Sequence, residues 1–298
     1  MPSALRFLES ELAPAMPEQC RFHIIPVPFE ASVSYGTGAG RGPEALLRAS
    51  SQLELWTGEC NPSEEGIYTW PAVDGKGSAE TVLGRIEAAT DAVLALPRAQ
   101  GALPVLIGGE HTATLGALRS LRKRYGHFGI IQFDAHADLR RSYAGSMYSH
   151  ACVMRRAMDD LGLRLFQVAV RSLSLEEERF RREASIPHLD ARIFAAQGGM
   201  PGLLRATSGL LPEDFPRTVF LTFDVDALDC SIMPATGTPE PGGLSWWEAL
   251  ALARLALAGR RVIGCDVMEL APLDNMEAPT FTAARLTYEL LAAILLSS

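Results

Sequence analysis

The sequence predicts an α/β protein: a three-layer αβα arrangement around a central, mostly parallel sheet, in a single domain. Three observations predict it. Short apolar runs of strand length alternate with longer amphipathic stretches, the βαβα rhythm of a parallel sheet with helices on both faces. Several of those runs end directly in carboxylates and histidines, and right-handed crossovers bring such strand ends to one edge, where open α/β sheets bind ligands. The chain has 298 residues, 48% hydrophobic and 21% charged, which suits a soluble globular protein with a sizeable core.

Taken in order, residues 1–20 read as an N-terminal extension, and residues 22–27 as the first strand. Gly42-Pro43-Glu44 opens a helix over 42–53, with Pro in the first turn where no backbone donor is needed. A helix follows over 79–96, a strand over 103–107 and a helix over 111–125. The cluster Arg119, Arg122, Lys123 and Arg124 falls at the end of that helix, where cations suit the helix dipole. A strand over 128–133, a helix from about 149 to 160 and a strand over 165–170 come next. The chain then gives a strand over 217–223, a helix over 245–258, a strand over 262–268 and a last helix over 278–296. Glu176, Glu177 and Glu178 read as the solvated face of a charged helix. The Gly/Pro-rich residues 198–202 are too few for a domain linker, and no repeat is present.

Composition excludes several classes of function. The net charge is −8 and no basic stripe is present, so no nucleic-acid partner is expected. The five cysteines are odd in number and lack CxxC spacing, which argues for a reducing compartment, the cytoplasm, rather than a disulfide framework or zinc knuckle. No signal peptide is expected, and the apolar run 290–296 is far shorter than the ~20 residues of a membrane span. The loop Gly36-Thr37-Gly38-Ala39-Gly40-Arg41-Gly42 lacks the Lys-Ser/Thr of a phosphate-binding loop and the spacing of a dinucleotide fingerprint, and reads as a turn at the rim of a site.

The chemistry concentrates in Phe133-Asp134-Ala135-His136-Ala137-Asp138. In extended backbone, alternate residues point the same way, so Asp134, His136 and Asp138 are expected to converge. Asp224 and Asp226 follow the strand over 217–223, and His111 follows the strand over 103–107 through Gly108-Gly109-Glu110. One Asp-x-Asp after a strand is common and lone histidines usually cap or pack; three such clusters at strand ends are far more specific. Four carboxylates side by side would repel, and some would protonate unless cations were present. Two dications balance the four charges, with His111 and His136 as neutral ligands. Carboxylates and imidazoles without thiolate favour Mn²⁺ or a similar ion over structural zinc. Two metals about 3.5–4 Å apart can share one water, lower its pKa and aim it at an electrophilic carbon.

These motifs resemble a known family. Gly108-Gly109-Glu110-His111, Asp134-Ala135-His136-Ala137-Asp138 and Thr222-Phe223-Asp224-Val225-Asp226, followed by Thr236-Gly237-Thr238-Pro239-Glu240-Pro241-Gly242-Gly243, are similar to the ureohydrolases. That superfamily includes arginase, agmatinase, formimidoylglutamase and guanidino-acid hydrolases. The resemblance runs from about Pro26 to the last helix, and Tyr148-Ser149-His150-Ala151-Cys152-Val153-Met154-Arg155 looks most like prokaryotic agmatinases. It implies the arginase/deacetylase-like fold and two Mn²⁺ per chain. His111, Asp134, Asp138 and Asp224 would hold the first, and Asp134, His136, Asp224 and Asp226 the second. It also implies a proton-transferring role for His150 and a guanidinium-orienting role for Glu269. The implied partners are a small cationic guanidino substrate and further copies of the chain, as a trimer or hexamer.

The implied activity is release of urea from a guanidine, with agmatine to putrescine as the first expectation. Aminopropylagmatine follows, then guanidinobutyrate and guanidinopropionate. Arg140 and Ser174 stand where arginases carry an Asn and an Asp that grip the amino-acid end, which speaks against L-arginine. Cys230 replaces the family's usual Pro, and Ala235 a usual Gly. A catalytically silent relative would lack a ligand or the orienting acid; here every expected one is present.

Overall fold

The six apolar runs all become strands, and two short strands at the sheet's edges complete a computed structural model of the chain that describes residues 5–97, 101–206 and 209–297. The strands are β1 (Phe22–Val27), β2 (Ile67–Thr69), β3 (Leu103–Gly108), β4 (Gly129–Phe133), β5 (Arg164–Val168), β6 (His188–Leu189), β7 (Thr218–Asp224) and β8 (Arg261–Met268). They form one sheet in the order β2-β1-β3-β8-β7-β4-β5-β6. Every pairing in it is parallel.

β2 and β6 were not expected. Three and two residues are too few to show a hydrophobic period, and both are set by docking on the edges. The expected helices form as α1 (Gly42–Ser50), α2 (Ala79–Leu94), α3 (Thr114–Tyr125), α4 (Val153–Leu161), α8 (Trp246–Leu257) and α9 (Glu277–Leu296). The chain also forms α5 (Leu175–Glu183), α6 (Ala191–Ala196) and α7 (Gly199–Ala206). α7 takes up most of the Gly/Pro-rich residues, and α6 is too short to show a sequence period of its own. Where α3 and α4 were expected to start, His111–Ala113 and His150–Cys152 form single 3-10 turns, so both histidines sit at the tightened mouth of a helix.

Alternation along the strands divides the interior in two. Ile24, Val105, Ile107, Ile131, Leu221 and Phe223 pack with α1, α8 and α9. Ile25, Leu106, Ile130 and Phe220 pack with α2, α3 and α4. Strands buried on both faces explain why the runs are apolar throughout. Among the described residues no helix is long and apolar enough to cross a membrane.

Strand order places the site. β3 and β4 follow one another in the chain, yet β8 and β7 lie between them. This switch gathers the C-terminal ends of β3, β8, β7 and β4 side by side, the crevice where such sheets bind ligands. Phe133 pairs with Phe223 across β4 and β7, and their rings stack at 5.1 Å. That stack, worth about 0.5–1.5 kcal/mol beyond burial, pins the register that sets Asp134 beside Asp224.

Candidate metal centre and active site

The four central strand ends deliver the predicted residues to one cleft, lined among others by His111, His136, Asp138, His150, Asp224 and Glu269. His111 arrives through two glycines that no other residue could replace without movement. A Cβ on Gly109 would lie 1.9 Å from the Phe29 carbonyl oxygen, because the loop after β1 packs directly on this turn. His111 Nε2 lies 2.7 Å from Thr222 Oγ1 on β7, which leaves Nδ1 facing the carboxylates. That Nδ1 is 3.1 Å from Asp134 Oδ2, 3.1 Å from Asp138 Oδ2 and 3.4 Å from Asp224 Oδ2. It is nevertheless a buried nitrogen without a hydrogen-bond partner.

Asp134 is wholly buried. Its Oδ1 accepts the His136 amide at 2.6 Å, and its Oδ2 accepts Gln132 Nε2 at 2.8 Å. His136 Nδ1 lies 2.9 Å from Asp226 Oδ2, and Asp226 Oδ1 accepts the Ala135 amide at 2.9 Å. Asp224 Oδ1 accepts the Asp226 amide at 2.9 Å. The ligand atoms make two triads that share Asp134: His111, Asp134 and Asp224, then Asp134, His136 and Asp226. Asp138 joins the first through His111. The route to Asp138 differs from the expected extended strand. β4 ends at Phe133, and Asp138 has φ 54°, so a left-handed turn returns its carboxylate to the cluster. Glu269 has φ 65° just after β8. Such conformations in residues with a Cβ cost about 1–3 kcal/mol each and gather at functional sites.

The cluster's own charges settle unevenly. Burial opposes ionisation of Asp134, but His111 and His136 beside it hold its pKa well below the usual range. Burial and the Asp134 charge push Asp138 up to about 7, and burial with Asp226 and Asp134 raises Asp224 well above its ordinary value. Burial would discharge His111, yet Asp134, Asp138 and Asp224 hold it well above the imidazole range; against the same burial, Asp226 and Asp134 push His136 up to about 12. So many acceptors around one partnerless nitrogen, with oxygen and imidazole donors only, fit a pair of divalent cations.

Two more residues complete the cleft. Glu269 Oε1 accepts the His111 amide at 2.6 Å, and burial raises its pKa well above the carboxylate range. His150 stands opposite, its ring edge-on to Tyr143 at 5.7 Å. Burial, then the charges of His136 and His111, lowers His150 to about 4, so it is neutral at pH 7. A second cleft adjoins the first through Ser34, His136, Asp138 and His150, and continues past Arg140, Tyr143 and Glu177.

Some sequence readings change here. Glu177 is 3% exposed, not solvated: it accepts the Leu139 amide at 3.0 Å and closes the capping box with Ser174 at the start of α5. Glu177 also lies 3.7 Å from Arg140, whose guanidinium sits over Tyr143. The loop without its proline is tied instead by Asp229, which accepts the amides of Ser231, Gly242 and Gly243. The Ser231 hydroxyl foremost, then the amides of Ser231, Gly243 and Gly242, hold Asp229 at about 2. Sequence reasoning passed over Gln132, Thr222, Asp266 and Glu110. The first three are polar residues inside apolar strands, which is the signal that would have found them. Asp266 lies behind the site on β8, accepting Thr114 Oγ1 at 2.8 Å, and burial pushes it up to about 6.

The comparisons with known proteins agree with this geometry. The arginase family profile matches residues 20–293. The N(1)-aminopropylagmatine ureohydrolase of Synechocystis sp. is 37% identical over 292 residues, 96% of this chain and 92% of its own. That of Thermococcus kodakarensis is 33% identical over 294 residues, 96% of this chain and 95% of its own. The agmatine ureohydrolase of Thermoplasma volcanium superposes with a TM-score of 0.83 at 27% identity, covering 98% of this chain and 95% of that one. A strand-order crevice holding two His/Asp triads, matched along nearly the whole chain, makes this protein a member of the arginase family, the ureohydrolases that split C–N bonds of linear amidines.

Proposed function

We propose that this ureohydrolase acts on N1-aminopropylagmatine, giving urea and the corresponding triamine, with agmatine as the second substrate. The observation that carries the reading is the whole-length match, at 37% and 33% identity, to two enzymes named for that substrate. The adjoining cleft supports it: the site continues past Tyr143 and Glu177, and Arg140, which lines it, lies 3.7 Å from Glu177 and so opposes a cationic tail less. This ranks the longer polyamine above the agmatine that the motifs first suggested.

In this reading His111, Asp134, Asp138 and Asp224 would hold one Mn²⁺, and Asp134, His136, Asp224 and Asp226 would hold the other. When bound, the pair supplies Lewis-acid charge that makes a water nucleophilic at neutral pH. Net reaction adds that water's oxygen to the guanidinium carbon and breaks the bond from carbon to the tail nitrogen. Glu269, raised by burial, gains the planar cation that restores its charge, and two parallel hydrogen bonds fix the guanidinium plane. His150, neutral at pH 7, takes a proton at its unprotonated ring nitrogen and hands it to the departing amine or to solvent. The reading also carries a single catalytic domain, a cytoplasmic location and a trimeric or hexameric assembly, the last open to light scattering. The decisive measurement is urea release with Mn²⁺ from N1-aminopropylagmatine, agmatine, guanidinobutyrate, guanidinopropionate and L-arginine. The highest kcat/KM belongs to the first; a higher value for agmatine overturns the substrate assignment, and no urea from any of them overturns the activity.

A further inference from the structure

The carboxylate of Glu110 is buried one residue before His111, and its four hydrogen bonds go to Ala31, Ser32 and Thr112 rather than to the metal-binding triads. Its Oε2 accepts the amides of Ala31 and Ser32, the latter at 2.6 Å. Its Oε1 accepts Thr112 Oγ1 at 2.6 Å and Ser32 Oγ at 3.0 Å. Neither backbone amide can accept, so Oε2 is committed as an acceptor. The glutamate therefore folds the loop after β1 over the mouth of the site.

Ser32 is where this becomes chemistry. Its Oγ accepts the His150 amide at 3.1 Å and lies 2.9 Å from His150 Nδ1. A serine hydroxyl has one proton and two lone pairs. The proton goes to Glu110 and one lone pair to the His150 amide. The other is left for Nδ1, which must then carry a hydrogen. Ser149 Oγ, at 3.5 Å from Nδ1, is too far to compete on equal terms. On the other side of the ring, Ser34 Oγ lies 2.8 Å from Nε2, and the Tyr143 hydroxyl at 3.2 Å is the more distant acceptor for its one proton. The shorter bond takes that proton, so the nitrogen left without a hydrogen accepts from Ser34, which is exposed.

We propose that Glu110 and Ser32 are positioning residues that fix His150 as the Nδ1–H tautomer, leaving Nε2 as its basic nitrogen at the mouth of the site. The arrangement does for this histidine what a buried carboxylate does for the histidine of a hydrolase triad, with a serine hydroxyl interposed. The inference rests on the proton-transfer role given to His150 above, and it goes further by naming the nitrogen and the residues that choose it.

Glu110→Gln separates the outcomes. Its amide oxygen still accepts the two loop amides, but its NH₂ now donates to Ser32 Oγ. The serine proton must turn to Nδ1, and the hydrogen of the ring moves to Nε2. Ring ¹⁵N shifts of histidine-labelled protein, loaded with a diamagnetic dication and assigned against His150→Asn, read the tautomer directly. The expected result is Nδ1–H in the parent and in Ser32→Thr, Nε2–H in Glu110→Gln and a mixture in Ser32→Ala. With saturating Mn²⁺ and unchanged metal content, kcat of Glu110→Gln falls about 10²-fold while KM moves little. An Nε2–H parent, or an Nδ1–H ring that survives in both Glu110→Gln and Ser32→Ala, overturns the proposal. Should Glu110→Gln fail to fold, Ser32→Ala, altered only in a surface loop, carries the test. A switched tautomer with unchanged kcat upholds the relay and sinks instead the role given to His150.

Discussion

Asp138 and His136 show how single residues make this site costly until a cation arrives. Asp138 titrates at about 7 in the folded chain, against an ordinary aspartate near 3.8. A carboxyl raised in this way favours folding below pH 3.8 and loses that contribution as pH climbs through 7. His136, pushed up to about 12, contributes in full below pH 6.5 and loses that contribution progressively as pH rises toward 12. Protein stripped by chelation should thus lose melting temperature between about pH 4 and 7. Metal must also displace the protons held on His136 and His111, so loading releases protons. Affinity then rises about tenfold per pH unit for each proton released. Calorimetry in buffers of different ionisation enthalpy checks this; binding without proton release would show that the imidazoles are already neutral. Most of the cluster was legible in the sequence because three His/Asp motifs at strand ends, taken together, have few other uses. Glu110 was not: between glycines and a histidine it looks like part of the turn, and its four partners are known only once the loop after β1 lies on it.

At the scale of elements, the turn after β3 sets how closely the loop after β1 can approach. The Gly109 amide donates to Val27 O at 2.8 Å, and its carbonyl accepts the Glu269 amide at 2.9 Å. Gly109→Ala drives a methyl into the Phe29 carbonyl, a backbone atom that cannot swing aside. We expect a loss of about 1–3 kcal/mol, read from denaturant midpoints, and weaker metal binding, since His111 is two residues on. Gly108→Ala meets the Met268 side chain instead, whose flexible thioether can move, so its stability loss should be smaller. An equal loss in both would argue that strand packing, not the loop, limits this turn. The strands β1, β3, β4, β5, β7 and β8 were legible because each is an apolar run buried on both faces. β2, β6 and α6 were not, because their few residues carry no period and are held by what they dock against, and α7 was not, because Gly199, Pro201 and Gly202 in its first turn read as a loop.

For the whole molecule, the two triads draw His111, Asp134, His136, Asp224 and Asp226 from the ends of three strands, β3, β4 and β7, spread over more than a hundred residues. Cations bound there hold the ends of β3, β4 and β7 together, and anything that binds only the folded state stabilises it. At a hundredfold excess over the dissociation constant the gain is about 2.7 kcal/mol, roughly 5–10 °C in melting temperature. Removing metal with a chelator and restoring Mn²⁺ should move the transition by that much in each direction. An unmoved transition would mean that the two triads do not bind metal in the native state.

By itself the sequence determined the α/β class, the central strands and the His/Asp cluster at their ends, because strand period and ligand chemistry are local properties written in consecutive residues; His150 and Glu269 were singled out only by the resemblance of the motifs. Only the tertiary structure decided that β8 and β7 lie between β3 and β4, that a left-handed turn rather than an extended strand returns Asp138, and that Glu177 is buried. It alone brought Ser32 and Glu110 to His150. Each of these depends on contacts between segments up to more than a hundred residues apart, where packing and hydrogen-bond partners are chosen by the fold and leave no pattern along the chain.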